Sequence, residues 1–126
     1  MDDERKSKMA VIKIYRIKDE ISAEFYRVLV DRLWPRGIPK DQAPWDVWFP
    51  ELAPSTQLRR YFHTHQDDME TFRMQYLQEL KDNSSSQLQQ LFNLIEEGPV
   101  VLLTANHDIE HSQVPILQQF LEKSEC

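Results

Sequence analysis

Apolar residues are concentrated in three short segments of the chain, at residues 9–15, 26–30 and 99–104. Each segment is rich in aliphatic and β-branched side chains and is bounded by polar residues, which is typical of a strand. The last segment is apolar without alternation, a pattern that favours a central parallel strand buried on both faces. About ten residues separate the first two segments, so these strands are expected to pair through a loop or a small excursion rather than a helical crossover.

Four other segments carry apolar residues at the three- and four-residue spacing of amphipathic helices. The first begins after Ser55, whose hydroxyl is expected to accept a hydrogen bond from the amide of Leu58. The others are predicted at residues 67–81, at residues 84–98 and after Ser112. Helices that follow strands in this way predict an α/β fold, a small single domain with a short, mostly parallel sheet and helices packed around it.

The middle of the chain, residues 38–54, combines four prolines with the aromatic residues Trp45, Trp48 and Phe49. The aromatic side chains have the spacing of one helical face, which predicts a short helix capped by Asp41 and ended by Pro50. A fourth strand in the same segment is the alternative. The aromatic residues either close the core beside Trp34 or form a stacking wall for a planar ligand.

Length and composition fit one globular domain of 126 residues, 40% hydrophobic and 29% charged. Residues 1–8 form a predicted polar N-terminal tail, and residues 9–123 form the domain. The net charge of −6 disfavours a broad contact with nucleic acid or an anionic membrane. No segment approaches the roughly 20 apolar residues of a membrane helix, and the single cysteine, Cys126, has no internal disulfide partner. A cytoplasmic protein is therefore expected.

The first candidate site is the turn that follows the second predicted strand. It presents Asp31, two arginines, Arg32 and Arg36, and the indole of Trp34 within six residues. A serine-capped helix N-terminus and guanidinium groups both attract anions. Ser55 and Arg59 are therefore candidates to share a phosphate or carboxylate with Arg36. The alternative for this pair is an ordinary helix cap beside a solvated arginine.

A second group of polar residues follows the third predicted strand and contains Asn106, His107, Asp108 and His111. If the second and third strands are parallel neighbours, both groups lie at the carboxyl ends of adjacent strands, where open α/β sheets bind ligands. This convergence is the main structural prediction. His107 and His111 are spaced by one helical turn, but no third and fourth ligand accompany them, so neither a metal nor another cofactor is assigned.

Three sequence blocks resemble the YeaO-like branch of the family called domain of unknown function 488: Val30 to Gly37 (VDRLWPRG), Glu51 to Ser55 with Leu58 and Arg59, and Tyr76 with Glu79 and Leu80. The resemblance covers about residues 11 to 121. It implies the fold of this family, whose name declares no established activity. The positions that it carries over as candidate site residues are Asp31, Arg32, Trp34, Arg36, Ser55, Arg59, Asp108 and His111.

The chain also departs from the pattern that the resemblance implies. The pattern has a histidine where this chain has Thr64, and Asn and His where it has Ser112 and Gln113. If those positions serve chemistry in relatives, this chain has altered or lost that chemistry.

Two functions remain open. In the first, an enzyme binds a small phosphate- or carboxylate-bearing compound, including nucleotides, through its arginines. Asp31 or Asp108 then acts as base or orienting group, His111 transfers a proton, and Trp34 forms an apolar wall. In the second, the same residues form a non-catalytic module for a metabolite or a protein, or are purely structural ion pairs. The sequence assigns no reaction and no oligomeric state.

Overall fold

The computed structural model describes residues 11–124, which form a four-stranded sheet with four α-helices packed around it. The strands are β1, Ile12–Arg16; β2, Tyr26–Leu29; β3, Val47–Trp48; and β4, Val100–Thr104. The helices are α1, Thr56–Thr64; α2, Met69–Lys81; α3, Ser86–Glu97; and α4, Val114–Ser124. The predicted α/β class is confirmed. The predicted tail, the first two residues of the first predicted strand and Cys126 lie outside the described residues.

All strand pairs in the sheet are parallel, in the order β1-β4-β2-β3. The expected direct pairing of β1 with β2 is wrong, because β4 lies between them. All five residues of β4 are buried, so this strand requires a neighbour on each edge and cover on both faces. The prediction of a central strand buried on both faces is confirmed.

The two faces of the sheet are covered by different parts of the chain. On one face, which we call the helical face, Val28 and Leu102 pack against the four helices. On the other, the loop face, Leu29 and Leu103 pack against the segments that join β1 to β2 and β2 to β3. The chain therefore leaves β2 across the loop face and leaves β4 across the helical face. The carboxyl ends of these adjacent strands form a topological switch point, where open sheets have a crevice.

The predicted helix between Asp41 and Pro50 is wrong. Asp41 lies inside a 3-10 turn, Lys40–Gln42, and Pro50 begins a second such turn, Pro50–Leu52, instead of ending a helix. The residues between the turns form a bend, residues 44–46, followed by β3, which is the fourth strand given above as the alternative.

Strand β3 forms because its backbone groups pair with the open edge of β2. The amide of Phe49 donates to the carbonyl of Leu29 over 2.9 Å, and the Asp46 carboxylate accepts from the amide of Arg27 over 2.8 Å. Valine and tryptophan also favour extended backbone. Sheet hydrogen bonds thus outweigh the helical spacing of the aromatic side chains in this segment.

The tryptophans of this segment close the loop face of the core beside Trp34, as one of the two interpretations expected. The rings of Trp45 and Trp48 meet Trp34 edge to face, with centroids 4.7 and 5.5 Å away. Phe49 instead packs on the helical face. The turn that carries Trp34 depends on Gly37, whose φ of 79° lies in the region that favours glycine.

The predicted helix starts are confirmed, but one of the expected capping hydrogen bonds is not formed. Ser55 accepts from the amide of Leu58 over 3.1 Å, and Asp68 caps α2 by accepting from the amide of Thr71. The Ser85 side chain makes no cap bond at the start of α3.

Among residues 11–124, no helix has both the length and the apolarity needed to cross a bilayer.

Candidate functional site

A crevice of about 830 Å³ lies at the carboxyl ends of β2 and β4. We call it the switch-point crevice. Because β2 and β4 are parallel neighbours, Asp31 and Arg32 converge with Asn106, Asp108 and His111, so this main structural prediction is confirmed for these residues, but Arg36 and His107 do not line the crevice. The predicted site residues that line the crevice are Asp31, Arg32, Arg59, Asp108 and His111.

The carboxylate of Asp31 joins the ends of the two strands. Its Oδ1 accepts from the hydroxyl of Thr104 over 2.7 Å, and its Oδ2 accepts from the amide of Ala105 over 2.8 Å. Burial raises the pKa of the Asp31 carboxyl, because the loss of hydration outweighs the opposing effect of these two hydrogen bonds. Trp48 donates its indole N–H to the Asp31 carbonyl over 2.7 Å, which ties β3 to the same point.

Asp108 and His111 form a local pair on the opposite wall. Asp108 caps the 3-10 turn Ile109–His111, and its Oδ2 lies 2.9 Å from Nδ1 of His111. Both side chains are largely exposed, at 65% and 62%. The pair can orient the imidazole. The adjacent Ser112 supplies no free nucleophile, because its buried hydroxyl donates to the carbonyl of Ile109 over 2.7 Å.

Two arginines face the same crevice from different elements. Arg32 is half-buried on the turn after β2, and Arg59 is exposed on α1, one turn before His63. Within residues 11–124, neither guanidinium has a hydrogen-bond or ion-pair partner. A guanidinium carries five N–H donors in a planar fork. The crevice therefore has unfilled donors on both sides.

The structure does not bring Trp34 or Arg36 to the switch-point crevice. Trp34 packs on the loop face, and its indole N–H donates to the carbonyl of Ile38 over 2.6 Å. Arg36, on the same turn, is exposed and does not line the crevice. The turn predicted to present one common site thus divides its side chains between two surfaces.

Ser55 also lies outside the switch-point crevice, because Glu79 occupies the N-terminus of α1. The Glu79 carboxylate accepts from the amide of Ser55 over 2.9 Å and from its hydroxyl over 2.5 Å. The helix N-terminus does hold an anion, as its chemistry favours, but this anion is a side chain of the same protein. Ser55 and Glu79 line a neighbouring crevice of about 580 Å³, which shares Arg32 with the first.

Sequence reasoning missed the contacts that Thr104 and Glu79 make around the site. Thr104 ends an apolar strand with a hydroxyl, and aligning the strand ends would have paired it with Asp31. Glu79 gave no such signal, because its partner Ser55 is 24 residues away. Ser112 and Gln113, two of the three positions at which the chain departs from the implied family pattern, line the switch-point crevice, and the third, Thr64, does not.

The arrangement of acidic and imidazole side chains does not resemble a metal centre. In the part of the chain that the structure describes, no three His, Cys, Asp or Glu side chains are grouped as metal ligands would be. His111 is instead paired with Asp108.

Comparison with known proteins identifies the family of this chain. The family model described as "Inactive DUF488-N3 subclade" matches residues 11–125. The chain therefore belongs to the DUF488 family, and the resemblance to its YeaO-like members is confirmed.

The relatives are similar over most of their length. The chain is 40% identical over 96 residues to the uncharacterized protein YeaO of Escherichia coli (strain K12), which is 76% of this chain and 83% of that protein. It is 33% identical over 117 residues to an uncharacterized protein of Mycobacterium tuberculosis (strain ATCC 25618 / H37Rv), which is 93% of this chain and 96% of that protein. No solved structure matches the chain.

Proposed function

We propose that this protein is a non-catalytic binding module for a small compound carrying a phosphate or carboxylate, held in the switch-point crevice by Arg32 and Arg59. One observation carries the proposal. All four oxygens of the two carboxylates in the crevice accept hydrogen bonds from the protein, whereas the two guanidiniums have no acceptor among residues 11–124. An anion would fill the donors that the protein leaves open.

Arginine is suited to this role because its planar fork matches the geometry of a carboxylate or phosphate. The two carboxylates do not compete for the arginines, since Asp31 is committed to Thr104 and Ala105, and Asp108 is committed to His111. The site also lies at the switch point of a parallel sheet, where ligands bind in open α/β folds.

Three observations support binding without catalysis. The matching family model is described as an inactive subclade. The Ser112 hydroxyl is buried and donates to a backbone carbonyl. Gln113 lines the crevice where the family resemblance implies a histidine, and an amide cannot exchange a proton near neutral pH as an imidazole does. Asp108 and His111 are then a structural pair.

Calorimetric titration with inorganic phosphate, phenyl phosphate, benzoate and AMP tests the proposal. Arg59→Gln should weaken the binding of a bound probe by about 10- to 100-fold, the loss expected for a charge-assisted hydrogen bond. Arg60→Gln is the matched control, because Arg60 is the exposed neighbour on α1 and does not line the crevice. No binding of any probe, or equal losses in both variants, would contradict the proposal.

A second pair of variants tests the contribution of Arg32. Arg32→Gln should weaken binding to a similar degree, whereas Arg36→Gln, in the same turn but outside the crevice, should leave affinity unchanged.

Phosphorus NMR of phenyl phosphate after long incubation with the wild type tests the non-catalytic part of the proposal. Recovery of unchanged phenyl phosphate is the expected result, and release of inorganic phosphate would restore the enzyme alternative.

A further inference from the structure

The switch-point crevice has an apolar wall beside its arginines. Leu33, Pro54, Phe62 and Phe72 line it. Phe62 stacks on Phe72 with ring centroids 4.4 Å apart, so its position is fixed by the core. Leu33 directly follows Arg32 and is 68% exposed. A large aliphatic side chain is therefore exposed to water next to one of the two guanidiniums that have no partner among residues 11–124.

The size of the crevice does not suit a bare inorganic ion. Its volume of about 830 Å³ falls within the range of about 300–1,000 Å³ that is typical of sites for drug-sized compounds. Such sites combine an apolar lining with a few polar groups that fix orientation. A phosphate ion bound at the arginines would leave the Leu33 and Phe62 side of the crevice filled with water.

From this juxtaposition we infer that the ligand is an amphipathic small anion, in which one phosphate or carboxylate is joined to a flat apolar body such as an aromatic ring. The anionic group binds between Arg32 and Arg59, and the apolar body packs on Leu33 and Phe62. This ligand class rests on the anion site proposed above. It assigns the role of apolar wall, which the sequence suggested for Trp34, to Leu33 and Phe62.

A comparison of inorganic phosphate, phenyl phosphate and benzyl alcohol by calorimetric titration tests the ligand class. Phenyl phosphate should bind about tenfold more tightly than inorganic phosphate, because burial of the ring adds apolar area. Benzyl alcohol, which has the ring without the charge, should bind more weakly than phenyl phosphate. Equal affinities for the two phosphates, both dependent on Arg59, would overturn the ligand class and leave the anion site standing. Binding of none of the three would overturn both.

The variant Leu33→Ser locates the apolar wall. It should weaken phenyl phosphate binding by about fivefold and leave inorganic phosphate binding unchanged, because only the ring contacts this side chain. Met74→Ser is the matched control, since Met74 is similarly exposed, at 63%, and does not line the crevice. If phenyl phosphate binds tightly but responds equally to both variants, the inference is wrong. Circular dichroism establishes that both variants fold.

Discussion

The hydroxyl of Thr104 donates to Oδ1 of Asp31 over 2.7 Å, joining residues 73 positions apart in the sequence. Oδ2 of the same carboxylate accepts from the amide of Ala105. These bonds hold the carboxyl end of β2 against that of β4, and the switch-point crevice opens at this junction. Asp31 is therefore a positioning residue for the arginine that follows it.

Substitution of Asp31 should separate its structural role from its charge. Asp31→Ala leaves the Thr104 hydroxyl and the Ala105 amide without their acceptor, so the free energy of unfolding should fall by about 1–3 kcal/mol. Asp31→Asn should cost less, because its amide oxygen can still accept from Ala105 while its amide nitrogen donates to the Thr104 hydroxyl. Urea unfolding measures the stability of both variants, and Asp41→Ala, at an exposed position, is the control. Equal stability of Asp31→Ala and wild type would show that the junction does not depend on this carboxylate.

The raised pKa of Asp31 also predicts a pH dependence of stability. Burial raises the pKa of this carboxyl above its ordinary value of 3.8, so the folded state binds the proton more tightly than the unfolded state. Its contribution to the free energy of unfolding is then fully present below about pH 4 and is lost as the pH rises through the folded-state pKa. The wild type should lose stability relative to Asp31→Asn over this interval.

Urea unfolding of the two proteins at a series of pH values measures this difference, in which the titration of the other carboxylates cancels. A difference that stays constant, or that changes in favour of the wild type as the pH rises, would contradict the prediction.

The cap of α1 predicts a loss of stability without a loss of binding. Ser55→Ala removes the acceptor for the Leu58 amide and a donor to Glu79, so the free energy of unfolding should fall by about 1–2 kcal/mol. Phenyl phosphate affinity should not change, because Ser55 lies outside the switch-point crevice. Thr56→Ala, at the exposed next position, is the control for stability. Weakened phenyl phosphate binding in folded Ser55→Ala would return Ser55 to the ligand site.

The parts of this structure that could be predicted from the sequence depend on local pattern. The apolar run of β4 implies a central strand, and a central parallel strand brings its terminal polar residues beside those of its neighbour. The convergence of Asp31, Asp108 and His111 on one crevice therefore follows from their positions at strand ends. Helix starts were found because a capping side chain and its amide are three residues apart in the chain.

The parts that could not be predicted depend on contacts between distant residues. The two residues of β3 form a strand only because the edge of β2 is open to them. Glu79 fills the N-terminus of α1 from another helix. Trp34 and Arg32 are two residues apart, yet tertiary packing directs one to the loop face and the other to the crevice. Residue types in a turn identify candidate chemistry, but not the surface on which each side chain lies.

Substitution of Trp34 should accordingly lower stability, whereas substitution of the adjacent Leu33 should lower ligand affinity. Trp34→Phe removes the donor to the Ile38 carbonyl and part of the edge contact with Trp45. The free energy of unfolding should fall by about 1–3 kcal/mol, with phenyl phosphate affinity unchanged. Leu33→Ser should leave stability within about 0.5 kcal/mol, as for an exposed site, and weaken that affinity. Urea unfolding and calorimetric titration of both variants measure the contrast. Loss of affinity in folded Trp34→Phe would mean that the loop face, and not the Leu33 side of the crevice, contacts the ligand.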